Sequence, residues 1–157
     1  MTTRQLFLLG AVALLLVALV LSLERHGAPA GSVVADPVRT PGVLNPDVTQ
    51  ATIGSTICVP GWTRTVRPPV EYTNALKARQ MRAYGETGSL SAYQEDHLIS
   101  LELGGHPTDP RNLWPEPYPR ASAVDQTEND LNAKVCGGSL SLRGAQEQES
   151  ALKHSVG

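Results

Sequence analysis

Five polar residues in this sequence have the types and spacing that a hydrolytic site requires. Asp96 and His97 are adjacent, Asn112 follows after a glycine-containing loop, and Glu128 and Asn132 come four residues apart. A histidine of ordinary pKa, ~6.5, can accept a proton near neutral pH, and carboxylate and amide oxygens bind hard divalent cations. The pattern indicates cation-assisted hydrolysis. The alternative is that these residues are polar pairs on solvated faces.

A hairpin and a helix must position these residues. The patterns predict a strand over 93–99, a loop through Gly104–Gly105, and a short return strand over 112–114. Pro115, Pro117 and Pro119 are expected to break regular structure after it.

A helix is predicted over 122–136, and its apolar stripe consists of Val124, Leu131 and Val135. Glu128 and Asn132 lie one above the other on the flank of that stripe. Their position is therefore the boundary between the core and a cleft.

Other segments surround this unit. A short strand and turn are predicted over 57–65, a helix over 71–84 with Gly85 as its stop, and a last helix over 140–152. Five basic residues have a single acidic neighbour, Glu71, in their stretch, and they are Arg64, Arg67, Lys77, Arg79 and Arg82. They are candidates for binding nucleic-acid phosphates, and the alternative is a solvated helix face.

The string Glu95–Gly105 (EDHLISLELGG) followed by Asn112–Glu116 (NLWPE) resembles the His-Asn-His (HNH) nuclease family of the ββα-metal type. It is most similar to small exported bacterial members of that family. The resemblance covers roughly 58–146 and includes Cys58–Gly61 upstream. It implies an α+β fold, a small ββα-metal domain with flanking helices.

The resemblance also implies roles for individual residues. His97 matches the general base, Asp96 the metal ligand before it, and Asn112 the asparagine that orients the base. Asn132 matches the last motif position, usually a histidine, and Glu128 is expected to assist it as a ligand. An amide in place of imidazole favours Mg²⁺ or Mn²⁺ over Zn²⁺ as the single divalent ion.

The implied activity is metal-dependent endonucleolytic hydrolysis of phosphodiester bonds. Nucleic acid is the expected partner, DNA in preference to RNA, with low sequence specificity and no small-molecule cofactor. Ser100 stands where the family usually has proline. The alternatives are a non-catalytic exported module of the same fold that binds nucleic acid, a metal or a protein, and a structural envelope protein. The module is favoured by Asn132 and by the acidic charge that remains after residue 30, 11 basic against 14 acidic residues.

The N-terminus predicts export. Residues 6–23 form an uncharged apolar run that would rise roughly 27 Å as a helix, close to a bilayer's hydrocarbon thickness. Residues 1–23 are therefore expected to be a signal peptide cleaved near Ala30 or a retained membrane anchor, with a buried soluble helix as the lesser alternative. The protein would then lie outside the cytoplasm, either membrane-anchored or secreted.

The rest of the chain divides into three parts. Residues 24–51 are expected to form a flexible linker, 52–152 the nuclease-like domain, and 153–157 a frayed tail. An even cysteine count in an exported chain predicts a disulfide between Cys58 and Cys136. The alternative, a catalytic cysteine, lacks a local histidine.

Overall fold

The computed structural model describes residues 34–155. These form two strands, β1 (Tyr93–His97) and β2 (Leu113–Pro117), together with four α-helices and short 3₁₀ turns. The helices are α1 (Trp62–Val66), α2 (Val70–Tyr84), α3 (Tyr118–Cys136) and α4 (Leu142–Lys153). The described part of the chain is therefore of mixed α+β class, as the sequence predicts.

The predicted signal peptide or anchor at residues 1–23 lies outside the described residues, as does the cleavage site near Ala30. None of the helices within 34–155 is long and apolar enough to span a membrane.

The hairpin is antiparallel, with His97 opposite Leu113 and Tyr93 opposite Pro117. The prediction that prolines end regular structure after residue 114 is wrong, because Pro115 and Pro117 belong to β2. The Leu98 N–H donates to the Asn112 carbonyl at 2.8 Å. Alternation along an antiparallel pair then places both prolines at positions whose backbone nitrogen faces away from β1, where no N–H is needed.

The helices follow the predicted pattern with two differences. α2 ends as expected at Gly85, which has a φ of 74°. α3 begins four residues earlier than predicted because Pro119 fits the first helical turn, where its missing N–H costs nothing. The predicted strand over 57–65 is wrong, since this segment is a turn that leads into α1.

One apolar core holds the helices to the loop after β1. The predicted stripe of α3 is buried, and Leu131 and Val135 pack with Ile99, Leu103 and Leu142. The predicted disulfide between Cys58 and Cys136 is confirmed, with a separation of 78 residues. It joins the segment before α1 to the end of α3. On the chain-entropy model, a loop of this length stabilises the fold by roughly 4 kcal/mol.

Residues 34–51 differ from the predicted flexible linker. They form an arm that packs on the domain, in which Ala35 and Thr40 are fully buried and Val48 joins the core. The arm also bonds to the loop after β1: the Asn45 N–H donates to the Gly104 carbonyl at 2.9 Å. The proline-rich composition therefore marks an extended, bound segment here. The domain begins before residue 52.

The predicted frayed tail over 153–157 is wrong at its start. Lys153 is the last residue of α4 and is fully buried, and its carbonyl accepts a hydrogen bond from the Ala35 N–H at 3.0 Å. The arm and the end of α4 therefore hold each other.

We expect a chain that begins at residue 52 to be less stable than one that begins at residue 34. It loses the burial of Val48 and Ala35 and the hydrogen bonds of the arm, together worth at least about 3 kcal/mol. Urea denaturation of the two chains measures the difference. Equal unfolding midpoints and slopes would show that the arm does not contribute to the fold.

Candidate active site

A small polar cleft opens where β1 meets α3. It encloses about 70 Å³. Its lining includes the adjacent pair from β1, the first predicted ligand of α3 and one basic residue: Asp96, His97, Glu128 and Arg67. The structure therefore brings together three of the predicted catalytic and metal-binding residues. A wider cavity of about 720 Å³ lies between the arm and α4 and is lined by none of the predicted site residues.

His97 has the geometry of a base. It is 6% exposed, and its Nε2 lies 3.0 Å from the Pro107 carbonyl oxygen. A carbonyl can only accept, so Nε2 carries the proton and the neutral ring leaves Nδ1 without one. Burial lowers the pKa of His97, although the Asp96 carboxylate opposes the shift. The imidazole is therefore neutral at pH 7 and able to accept a proton.

Asn112 acts on the loop and not on the imidazole ring itself. Its Oδ1 accepts from the Ile99 N–H at 3.0 Å, and its Nδ2 donates to the carbonyls of Ile99 and His106. The side chain is fully buried. It fixes the loop immediately before Pro107, whose carbonyl holds His97. The connection from Asn112 to the His97 ring is thus indirect, through this loop.

Lys153 lies at the centre of the carboxylates that were predicted to bind a metal. Its Nζ donates to Asp96 Oδ2, to Glu128 Oε1 and to the His97 carbonyl oxygen, each at 2.6 Å. An ammonium group has three N–H donors, so all of them are used. Glu149, one helical turn before Lys153, lies 3.6 Å from the same nitrogen.

These contacts set the protonation of the cluster. Burial alone would raise the pKa of Asp96, but the Lys153 ammonium and the other neighbouring polar groups together lower that pKa to about 2. Burial raises the pKa of Glu128 and of Glu149. Burial and the neighbouring Asp96 charge raise the pKa of Glu116 to about 8. The surrounding carboxylates hold the pKa of Lys153 well above its usual value, so the ammonium stays charged.

The predicted metal site does not fit this arrangement. Asp96 and Glu128 are bound to an ammonium, and Asn132 lines a separate pocket beside the disulfide. Asn132 Nδ2 donates to the Glu102 carbonyl at 2.7 Å, which fastens α3 to the loop after β1. Among residues 34–155, no group of three or more His, Cys, Asp or Glu side chains is placed to hold a metal ion.

The predicted basic surface is reduced to one residue at the cleft. Arg67 is exposed and lines it, whereas Arg64, Arg79 and Arg82 are exposed on the helices α1 and α2. Lys77 does not fit the prediction, because it is buried and its Nζ donates to the Tyr93 carbonyl at 2.9 Å.

Lys153 and Glu149 were not among the residues predicted from the sequence. Both continue the buried face of α4, which consists of Leu142, Ala145, Gln146, Glu149 and Lys153. These positions repeat with the period of an α-helix. The periodicity therefore places the two charged residues on the same buried face as the apolar ones. A lysine four residues after a glutamate would then have predicted a buried ion pair.

Comparison of the chain with models of protein families, with curated proteins and with solved structures found no match. A function can therefore be assigned only from the geometry of the cleft and from the motif.

Replacing Asn112 should destabilise the domain. We expect Asn112→Ala to cost about 3 kcal/mol, because the Ile99 N–H and two carbonyls lose a buried partner. Asn112→Asp keeps the acceptor for the Ile99 N–H but turns a second acceptor oxygen towards the two carbonyls, so it should not restore the lost stability. Asn129→Ala, on the exposed face of α3, is the matched control and should change stability by less than about 0.5 kcal/mol. Urea denaturation of the four proteins tests this, and an Asn112→Ala midpoint equal to the control's would contradict it.

Replacing Lys153 should be more costly still. Lys153→Met keeps the helix propensity and most of the volume but leaves Asp96 and Glu128 without their counter-charge. Removing one partner of a buried ion pair costs about 3–5 kcal/mol. Lys134→Met, on an exposed position of α3, is the control. Thermal and urea unfolding measure both, and a loss below about 1 kcal/mol for Lys153→Met would show that the cluster is not an ion-pair network.

Proposed function

We propose that this protein is an exported nuclease of the HNH type, in which His97 is the general base that activates water for phosphodiester hydrolysis. One observation carries the proposal. A buried, neutral imidazole has Nε2 fixed by the Pro107 carbonyl at 3.0 Å and lines a polar cleft beside Arg67. The resemblance of the surrounding motif to HNH nucleases supplies the reaction class.

The chain order of the elements also supports this assignment. β1, β2 and α3 follow one another and pack together, as a ββα unit requires. His97 lies at the end of β1, and Asn112 comes directly before β2. The finer classification as a ββα-metal domain is part of the proposal.

In the proposed reaction, the oxygen of a water molecule attacks phosphorus while Nδ1 of His97 takes one of its protons. The bond from phosphorus to the leaving oxygen breaks, and that oxygen is protonated by solvent. The Arg67 guanidinium can pair with two phosphate oxygens and offset the negative charge. No step is assigned to a divalent ion, because the Lys153 ammonium already contacts the carboxylates that would hold one.

Export is part of the proposal. The apolar run at residues 6–23 favours a location outside the cytoplasm. The disulfide between Cys58 and Cys136 supports it, since such bonds persist in oxidising compartments.

The second candidate function is a non-catalytic module that keeps this fold and binds nucleic acid or a protein. The charge of the cleft favours a protein partner for such a module: the lining includes the acidic residues Asp96, Glu102, Asp125 and Glu128 against Arg67 as the exposed base. A phosphate would approach a surface that is mostly acidic. The two candidates differ in whether a bond is broken, which a nicking assay measures directly.

Substitution of His97 tests the proposal. We expect His97→Ala to reduce cleavage of plasmid DNA and of single-stranded RNA by about 10²–10⁴-fold, the usual contribution of a general base. His106→Asn is the control, because its amide oxygen can still accept from the loop amides that His106 Nδ1 now binds. Activity that survives His97→Ala, or no cleavage by the parent protein on either substrate, would overturn the proposal.

Substitution of Arg67 separates binding of the phosphate from activation of water. Arg67→Gln should weaken nucleic-acid binding and lower cleavage by about 10-fold or more, since a charge-assisted contact contributes ~1.5–3 kcal/mol. Arg82→Gln, an exposed arginine on α2, is the matched control and should leave both unchanged. Fluorescence anisotropy and the nicking assay measure the two effects. Equal loss in both variants would mean that the cleft does not bind the phosphate.

A further inference from the structure

The surroundings of Lys153 Nζ are those of a cation site built entirely from oxygen. Two carboxylate oxygens, from Asp96 and Glu128, and the His97 carbonyl oxygen each lie 2.6 Å from this nitrogen. Carboxylate and carbonyl oxygens are the ligands that hard divalent cations prefer. About 2.3–2.6 Å is the range of Ca²⁺–oxygen distances, whereas Mg²⁺ requires about 2.0–2.1 Å.

We propose that the Lys153 ammonium is a built-in cation that stands in place of a divalent ion in this cleft. Removing that ammonium opens a site for one hard divalent cation of the size of Ca²⁺. The inference concerns the same cleft as the proposed function but does not require the cleft to be catalytic. A lysine of the chain thus occupies the place where the motif predicts an exchangeable metal ion.

Three features keep the ammonium in place. Its N–H donors are all used, and the side chain is fully buried, so neither water nor an ion reaches it. α4, the helix that carries Lys153, is also bound to the loop after β1, since both Oε atoms of Glu149 accept from the Ser100 N–H at 3.0 Å. Gln146 Nε2 also donates to the Leu103 carbonyl at 2.9 Å. Withdrawal of the lysine would require α4 to leave the core.

Two further carboxyl groups belong to this part of the core. Glu149 Oε1 lies 3.6 Å from Lys153 Nζ, and the fully buried Glu116 carboxyl has one oxygen, Oε2, without a hydrogen-bond partner among the described residues. Asp96 pairs with Trp114 in the hairpin, so Asp96 and Glu116, two residues further along β2, lie on the same face of it. After loss of the ammonium, the Asp96 carboxylate is left without its counter-charge, which favours binding of a cation at this point.

Calorimetric titration of the full chain with Ca²⁺ and with Mn²⁺ tests the inference. The parent protein should bind neither ion at the cleft, so its titration should equal that of Asp96→Asn. Lys153→Met should bind one Ca²⁺ per chain, whereas Lys134→Met should behave like the parent. Adding Asp96→Asn to Lys153→Met should weaken the acquired binding by about 10-fold or more, as expected when a ligand or its immediate support is lost.

Two results would overturn the inference. In the first, the parent protein binds one Ca²⁺ or Mn²⁺ per chain, and Asp96→Asn abolishes this binding. That result would mean that the ion displaces the lysine. The other is a folded Lys153→Met variant that binds neither ion. If Lys153→Met does not fold, the parent and Asp96→Asn titrations still decide the question.

Failure of this inference is distinguishable from failure of the proposed function, because ion binding is measured without cleavage. A parent protein that cleaves DNA only when Mn²⁺ binds through Asp96 would retain the nuclease and refute the built-in cation. A protein that cleaves nothing and binds neither ion would retain the built-in cation and refute the nuclease.

Discussion

The fold around the cleft depends on how one buried ammonium group is compensated. A charge taken from water into the interior is tolerated only where its hydrogen-bonding capacity is met and its charge is balanced. Lys153 meets this requirement with Asp96 from β1, Glu128 from α3 and the His97 carbonyl. Three elements must therefore arrive at one point. The position of α4 against the hairpin follows from this.

Because of the same contacts, the adjacent residues Asp96 and His97 have different surroundings. Asp96 is committed to the ion pair and is held deprotonated by it. His97 has its carbonyl in the same network but its ring outside it, on the Pro107 carbonyl. Asn112 fixes the loop that brings Pro107 there. The imidazole is thus held through Nε2 by one backbone carbonyl, and Lys153 bonds to the main chain of His97 and not to its ring.

Prediction from the sequence succeeded where the signal was local. The end of α2 at Gly85 follows from a glycine that adopts positive φ, and the buried face of α3 follows from periodic Val124, Leu131 and Val135. It failed where a residue's neighbours come from distant segments. In the sequence, Lys153 has the pattern of a solvated tail residue, and only the structure places carboxylates from β1 and α3 around it. Asn132 is predicted to be a ligand, whereas in the structure its side chain bonds to the Glu102 carbonyl. The prediction of a flexible linker over 34–51 failed for the same reason, since partners of this arm such as Gly104, Arg111 and Lys153 lie more than 50 residues further along the chain.

A built-in ammonium and a bound metal ion balance the same carboxylates but differ in what they leave available. A divalent ion held by two or three protein oxygens keeps open positions at which water or phosphate can bind. An ammonium with three hydrogen bonds has none, and Lys153 is fully buried. Any phosphate bound here must therefore be held at the rim, where Arg67 is exposed, and not at the centre of the cluster. The chemistry of the cleft is therefore limited to what His97 and the rim residues supply. The charge of Lys153 stabilises the fold and takes no part in that chemistry.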